Sequence, residues 1–386
     1  MMKKSLFALA IVILCIALIP IVGNRFMHHY IEKKMLFVQK NGLHVIKQEQ
    51  KKSYLLTTYH YECILDDMEK LKIVPQNTRK IVAGAVLGVD IGYKNLLFAR
   101  VVSLDFYPLK LSPSIHQLLE KKDKVFTQQI DSFLAKKGIF YHLEYNLLTN
   151  TFKGYMKDIS QNYTLKDDCN ITTILSGMTY KGEGNPLNAQ KINSYLRELL
   201  LKIVKKDGKN TKIMLERVSS LSHSSTHHHR IDFSKNIAID NLYYITPTTS
   251  LHVNNYKMIL EVKDLNETTY RTFSKMDVLD EKSRKKYIVE LFDDKFQVIV
   301  PEFSCRNIIL AQKPLGGIYT SVNISMQKAL EMDSNITLAK PLYETLLQAL
   351  PKVGIVDEFA QKDGEKIKIH LHLKDKKFFI NDKVLP

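Results

Sequence analysis

Apolar and polar residues alternate with a period of two along much of this chain, and that restricts it to strands with one face turned away from water. The clearest case is the end, "KIKIHLHLKDKKFFINDKVLP". There Ile367, Ile369, Leu371 and Leu373 fall on one face, and Lys366, Lys368, His370, His372 and Lys374 on the other. Asp375-Lys376 then turns the chain into "KFFI", the pattern of a hairpin. "GIFYHLEYNLLTNTFKGYMKDI" repeats the arrangement, with Ile139, Tyr141, Leu143, Tyr145 and Leu147 on one face and Thr149-Asn150 at the turn. Further strands are expected at 54–65, 256–265 and 317–326. Alternation this regular belongs to antiparallel strands with a solvated side.

Helical spacing appears between the strands. Residues 114–137 bring Leu118, Leu119, Val125, Ile130, Phe133 and Leu134 to helical positions, with Ser112-Pro113 as a start signal and Gly138 as a stop. Residues 188–206 and 340–354 also read as helices, and 265–296 as two helical pieces. Strands pair with sequence neighbours and not through βαβ crossovers. The expected class is therefore α+β: an N-terminal transmembrane helix, then a large, mainly antiparallel β-sheet body with helices packed on one face. The 386 residues suffice for one large domain or two medium ones.

The transmembrane expectation rests on "MMKKSLFALAIVILCIALIPIVGNR". Ser5 to Gly23 is a run of 19 residues without a charge, about 28 Å of helix against a hydrocarbon core of roughly 30 Å. Lys3 and Lys4 favour a cytoplasmic N-terminus. No small-x-small cleavage site follows the run, and Cys15 lacks the small residue before it that a lipidation signal needs. The expected organisation is thus a cytoplasmic tip and anchor over residues 1–24 and an exported β-rich domain over 25–386, with room for a subdivision near 185–210. The anchor helix is expected to run on as far as Gly42. Two of the 56 Lys+Arg are Lys3 and Lys4, which leaves 54 against 40 Asp+Glu, about +14, for residues 25–386. Outside the cytoplasm such a balance points to anionic lipid or acidic proteins and not to nucleic acid, or it is simply the Lys-rich surface of a Lys-rich proteome.

Cys63, Cys169 and Cys305 follow the anchor, an odd number, so at most one disulfide can form within the chain. No C-x-x-C, G-x-S-x-G or H-E-x-x-H occurs, and no cofactor is expected. "KGEGNPL" (181–187) lacks the third Gly and the Lys-Ser/Thr of a phosphate loop. Asp66-Asp67, Asp167-Asp168 and Asp293-Asp294 read as turn or cap residues. The densest set of metal-ligating side chains is "HSSTHHHRIDF" (223–233). His223, His227 and His229 could share an ion only if a loop folds them together, because consecutive residues of a strand point apart. The competing reading is a solvated loop and the start of a strand. Lys366, Lys368, His370, His372 and Lys374 form a basic row suited to an anionic partner and ill suited to a cation.

The anchor, the segment "HHYIEKKMLFVQKNGLHVIKQEQKKSYLLTTYHYECIL", the internal "YHLEYNLLTNTFKGYMKDI" and "GMTYKGEG", and the closing hairpin together resemble the YdgA-like bacterial envelope proteins, the domain of unknown function 945 family. The resemblance implies a single-pass protein of the bacterial inner membrane with its β-rich bulk in the periplasm, from a family with no known catalytic residues. This chain is shorter than the larger members and more basic. The sequence is compatible with three functions. One is a non-catalytic scaffold, assembly factor or partner-binding module. The second is a lipid-handling protein with an apolar sheet face. The third is a metal-dependent hydrolase centred on residues 223–229. The first two differ in whether helices cover the apolar faces of the strands.

Overall fold

The computed structural model describes residues 20–384 apart from 37–38, 41, 67–75, 97–99, 167, 186–187, 274–280, 282–284, 287–293, 327–328 and 350–356. Among the described residues the body is antiparallel β-sheet with a few helices, and the chain divides into two compact units. The first comprises Met1–Lys157 and Lys181–Leu187, and the second Asp158–Tyr180 and Asn188–Pro386. The chain passes from one unit to the other after Lys157, Tyr180 and Leu187.

In the first unit helix α1 (20–36) lies against a meander of β1 (Leu43–Lys52), β2 (Leu56–Leu65), β3 (Val86–Lys94), β4 (Val101–Lys110), β5 (Tyr141–Asn146) and β6 (Thr151–Met156). Met27, Ile31 and Met35 recur every four residues, so one helical stripe meets the sheet. Alternation in β2 buries Thr57, Tyr59, Tyr61, Cys63 and Leu65. Val89, Ile91, Tyr93 and Val102 complete that core. The N-terminal turn of α1 is tied by polar contacts: Asn24 Oδ1 accepts from the hydroxyls of Thr57 and Tyr93, both at 3.0 Å. Gly23 is needed there, because a Cβ would stand 2.6 Å from the Asn95 carbonyl oxygen.

The helical signal over 114–137 is split. Asp123 stops α3 (Pro113–Lys122) and caps α4 (Lys124–Ala135), its carboxylate accepting from Phe126 N at 3.0 Å. Helix α2 (Gln76–Val82) precedes them. The chain leaves α4 through Lys137, whose ammonium reaches the face of β3 opposite α1. Helices thus approach this sheet from both sides, which corrects the expectation of one covered face.

The second unit is built from β7 (Ile159–Thr164), β8 (Asn170–Ser176), β10 (Asn188–Val204), β11 (Asn210–His227), β12 (Arg230–Ile245), β13 (Ser250–Asn266), β14 (Gln297–Leu310), β15 (Lys313–Ser325) and β16 (Glu331–Ala339). Most of β9 (Thr179–Asn185) belongs to the first unit. β17 (Gln361–Asp363), β18 (Lys366–Lys374), β19 (Lys377–Ile380) and β20 (Lys383–Val384) close the chain. Pairing is antiparallel in the order β7-β8-β10-β11-β12-β13-β14-β15-β16-β18-β19-β20. Several hairpins turn on two residues with positive φ, among them His228-His229, Ala311-Gln312, Asp375-Lys376 and Asn381-Asp382.

The helix expected over 188–206 is strand β10. Ile192, Leu196 and Leu200 suit a helix face as well as they suit alternate strand positions. The ladder partners β8 and β11 decide between the two, and Leu199 and Leu201 then fall on the opposite face. Helix α5 (Glu267–Phe273) follows β13, within the interval read as two helical pieces. Helix α6 (Lys340–Ala349) follows β16 and packs Leu342 and Tyr343 on Leu338, Ile367, Ile369 and Ile380.

The uncharged run at 5–23 lies mostly outside the described residues. Among those described, no helix is long and apolar enough to cross a membrane. Cys63, Cys169 and Cys305 are all free thiols, and burial pushes those of Cys63 and Cys305 up from the usual range.

Candidate ligand-binding face

The six central strands β10–β15 run 17, 18, 16, 17, 14 and 13 residues, more than twice the common length of about 5–6. Within them, among the described residues, only Ile231, Cys305 and Leu315 are buried. A sandwich would bury one whole face. Among the described residues no second layer covers this sheet, and both of its faces keep some exposure to solvent.

The two faces differ in chemistry. Cross-strand register aligns Val218, Ile239, Tyr256, Cys305 and Ile318 in one row, which continues into Leu338 and Ile367. A second row holds Ile237, Met258 and Phe303. A third holds Phe233, Val262, Val298 and Ile324. Tyr256 meets Phe303 edge-on with ring centroids 5.6 Å apart. Apart from Ile231, Cys305 and the end under α6, the residues of this face are half-buried. The opposite face carries Arg217 paired with Asp240, and Lys257 with Glu302, together with the exposed Tyr195, Leu201, Ile213, Leu221, Tyr244 and Tyr319.

One polar stripe crosses the apolar face. Asn241 Nδ2 donates to Glu216 Oε2 at 2.7 Å, and Asn254 Nδ2 donates to Asn241 Oδ1 at 3.0 Å. His252 stacks on Tyr243 beside it, centroids 4.0 Å apart. Asn254 Oδ1 is buried without a hydrogen-bond partner. Such an acceptor is costly in a folded protein unless a donor from elsewhere meets it.

The sequence-predicted residues lie elsewhere. His227 ends β11, His228 and His229 form the hairpin tip with φ of 48° and 61°, and Arg230 begins β12. His223 stands four positions back along β11, about 13 Å at strand rise, so the fold spreads His223, His227 and His229 and does not gather them. The side chain of His229 is 93% exposed and 3.6 Å from Glu267. The worker in that stretch is Arg230, whose guanidinium pairs with Asp294 and lies 3.3 Å from Asp264. Asp294, read from sequence as a turn residue, also accepts from Asn266 N at 2.9 Å. A hairpin of this type favours Asn-Gly at its two central positions, so H228N/H229G is expected to stabilise it by about 0.5–1 kcal/mol, measured by denaturant unfolding.

Lys366, Lys368, His370, His372 and Lys374 do share one face of β18, but two of them are engaged. Lys368 pairs with Asp363 at 2.6 Å, and His370 Nε2 with Asp333 Oδ2 at 2.8 Å. His372 stacks on Phe379, centroids 4.3 Å apart.

A connected polar cluster in the first unit surrounds Asp90. His60 Nδ1 lies 2.6 Å from its carboxylate, Lys137 Nζ donates at 2.9 Å, and the Tyr107 hydroxyl donates at 3.0 Å. Tyr107 lies flat on Gly88, where a Cβ would come within 2.2 Å of the ring. Burial raises the Asp90 pKa, but the bonds from His60, Lys137 and Tyr107 outweigh it and hold the carboxyl below its usual range. All its partners are intramolecular, so the cluster clips the end of α4 to the sheet. A depressed carboxyl pKa stabilises the fold above the unfolded value of about 3.9 and ceases to do so as pH falls through the folded value. D90N is therefore expected to lose about 1–2 kcal/mol at pH 7, after allowance for solvent screening, and to match the parent near pH 2, by denaturant unfolding at both pH values.

No family model, curated protein or solved structure matches this chain.

Proposed function

We propose that this protein is a membrane-anchored, non-catalytic envelope protein that shelters the acyl chains of an amphiphile on the apolar face of β10–β15. The combination of apolar rows and half-burial carries the reading: among the described residues Ile237, Met258, Phe303, Val262 and Val298 face neither a second sheet nor a fully formed core. Leaving such rows to water forgoes about 25 cal/mol per Å² that a hydrocarbon ligand recovers. The stripe of Glu216, Asn241 and Asn254 suits the polar end of the same molecule, with Asn254 Oδ1 ready for a hydroxyl or amine donor. The uncharged run at 5–23, the +14 balance of the remainder and the resemblance to YdgA-like envelope proteins agree with a site of action beside the inner membrane. A scaffold that docks a protein partner is the competing reading.

A photo-crosslinking amino acid placed at Met258 in cells is expected to capture lipid, and one at Lys257, which points to the other face, is not. Capture of protein alone from Met258 would favour the scaffold.

A further inference from the structure

We infer that His370, His372 and Asp382 form a binding site for a first-row divalent cation, with Zn²⁺ the best match. The inference is independent of the lipid reading. One ligand atom from each of the three residues lies within 4.8 Å of the others. Strand β18 presents His370 and His372 two positions apart on one face. The turn Asn381-Asp382 folds back onto them and is fastened there: Asn381 Oδ1 accepts from His370 N at 2.7 Å, and Asn381 N donates to His370 O at 2.8 Å.

Two further observations point to a ligand. His372 Nδ1 is buried with no hydrogen-bond partner, a nitrogen that a metal would satisfy. His370 Nε2 faces Asp333 Oδ2 at 2.8 Å on the neighbouring strand β16. With Nε2–H donating to that carboxylate, the lone pair sits on Nδ1. A carboxylate behind an imidazole is the usual device for fixing the tautomer and orientation of a metal-bound histidine. Two imidazoles and one carboxylate are a borderline-soft N/O set, suited to zinc with a water in the fourth position. Room for that water exists: a recess of about 320 Å³ is lined by His370, His372, Asp333, Glu331 and Lys374 among others. Lys374 opposes a cation there, but Glu331 and Asp333 share the recess and Asp382 adjoins it. The nearby Lys368 is already paired with Asp363. The basic row that the sequence suggests is therefore interrupted at its centre by acidic groups from other strands. A bound ion would pin the last hairpin to β18, on the strand where Ile367 and Ile369 pack beneath α6.

The test uses the full chain in detergent micelles, titrated with Zn²⁺ against a chromophoric chelator, with thermal unfolding read in parallel. One zinc per chain and a higher Tm on zinc addition are expected. H372A and D382N should each weaken binding at least about 100-fold, and D333N about 10–100-fold. D382N keeps the turn, because asparagine tolerates the positive φ of 65° at this position, so its loss of zinc cannot be put down to misfolding. The hairpin-tip variant H227N/H228N/H229G should retain the site. Binding unchanged in H372A and D382N, binding lost only in the tip variant, or no stoichiometric zinc in the parent chain would each overturn the assignment.

Discussion

Tyr59→Ala is expected to destabilise the first unit by about 3–5 kcal/mol, the range for emptying a buried aromatic position. Tyr59 is 1% exposed, in the middle strand of three that α1 covers. Its ring lies between Tyr61 and Tyr93, with centroids 5.8 and 6.3 Å away. The collapse needed to refill that space would have to move α1, which Asn24 and Gly23 hold in place. The hydroxyl separates the two components of the effect. It lies 2.5 Å from His28 Nδ1 and accepts from Gln50 Nε2 at 2.8 Å. Tyr59→Phe keeps the ring, His28 and Gln50 can turn to solvent, and Tyr93 keeps its bond to Asn24, so about 1 kcal/mol is expected. The chain has no Trp, so far-UV circular dichroism during urea unfolding is the suitable probe. Equal losses in the two variants would show that the hydroxyl, and not the packing, holds α1.

The second large effect concerns the apolar face. I237E/M258E puts two carboxylates on neighbouring strands at directly paired positions. An acyl chain lying there would have to desolvate both, and bound lipid is expected to be lost altogether. The fold should survive, because both residues are only half-buried and each forfeits roughly 1 kcal/mol of burial. S219E, on the opposite face of β11, is the control and should leave lipid content unchanged.

How far these features were legible in the sequence depends on the range of the forces that set them. The hairpins at 141–156 and 366–380 were legible because alternation is local, and one polar side leaves one register. β10 was not. Its apolar residues fit two periods, and the strands that choose between them are distant in sequence. The break at Asp123 was readable as a cap, but the apolar spacing runs straight through it. The apolar face was half legible: each strand shows its apolar side, but only the assembled sheet shows that, among the described residues, no second layer buries it. The polar stripe could not be read, since Asn241 lies 25 residues from Glu216 and 13 from Asn254 and only register joins them. The histidines divided in the same way. The conspicuous run at 227–229 became the end of β11 and a hairpin tip. The inconspicuous His370 and His372 met Asp382 through a turn and Asp333 through a ladder.

Native mass spectrometry of the full chain released from gentle detergent shows whether lipid occupies the apolar face of β10–β15. A stoichiometric adduct of lipid mass is expected in the parent protein and in S219E, and none in I237E/M258E. A parent protein free of lipid, or an adduct equally abundant in I237E/M258E, would contradict the lipid reading.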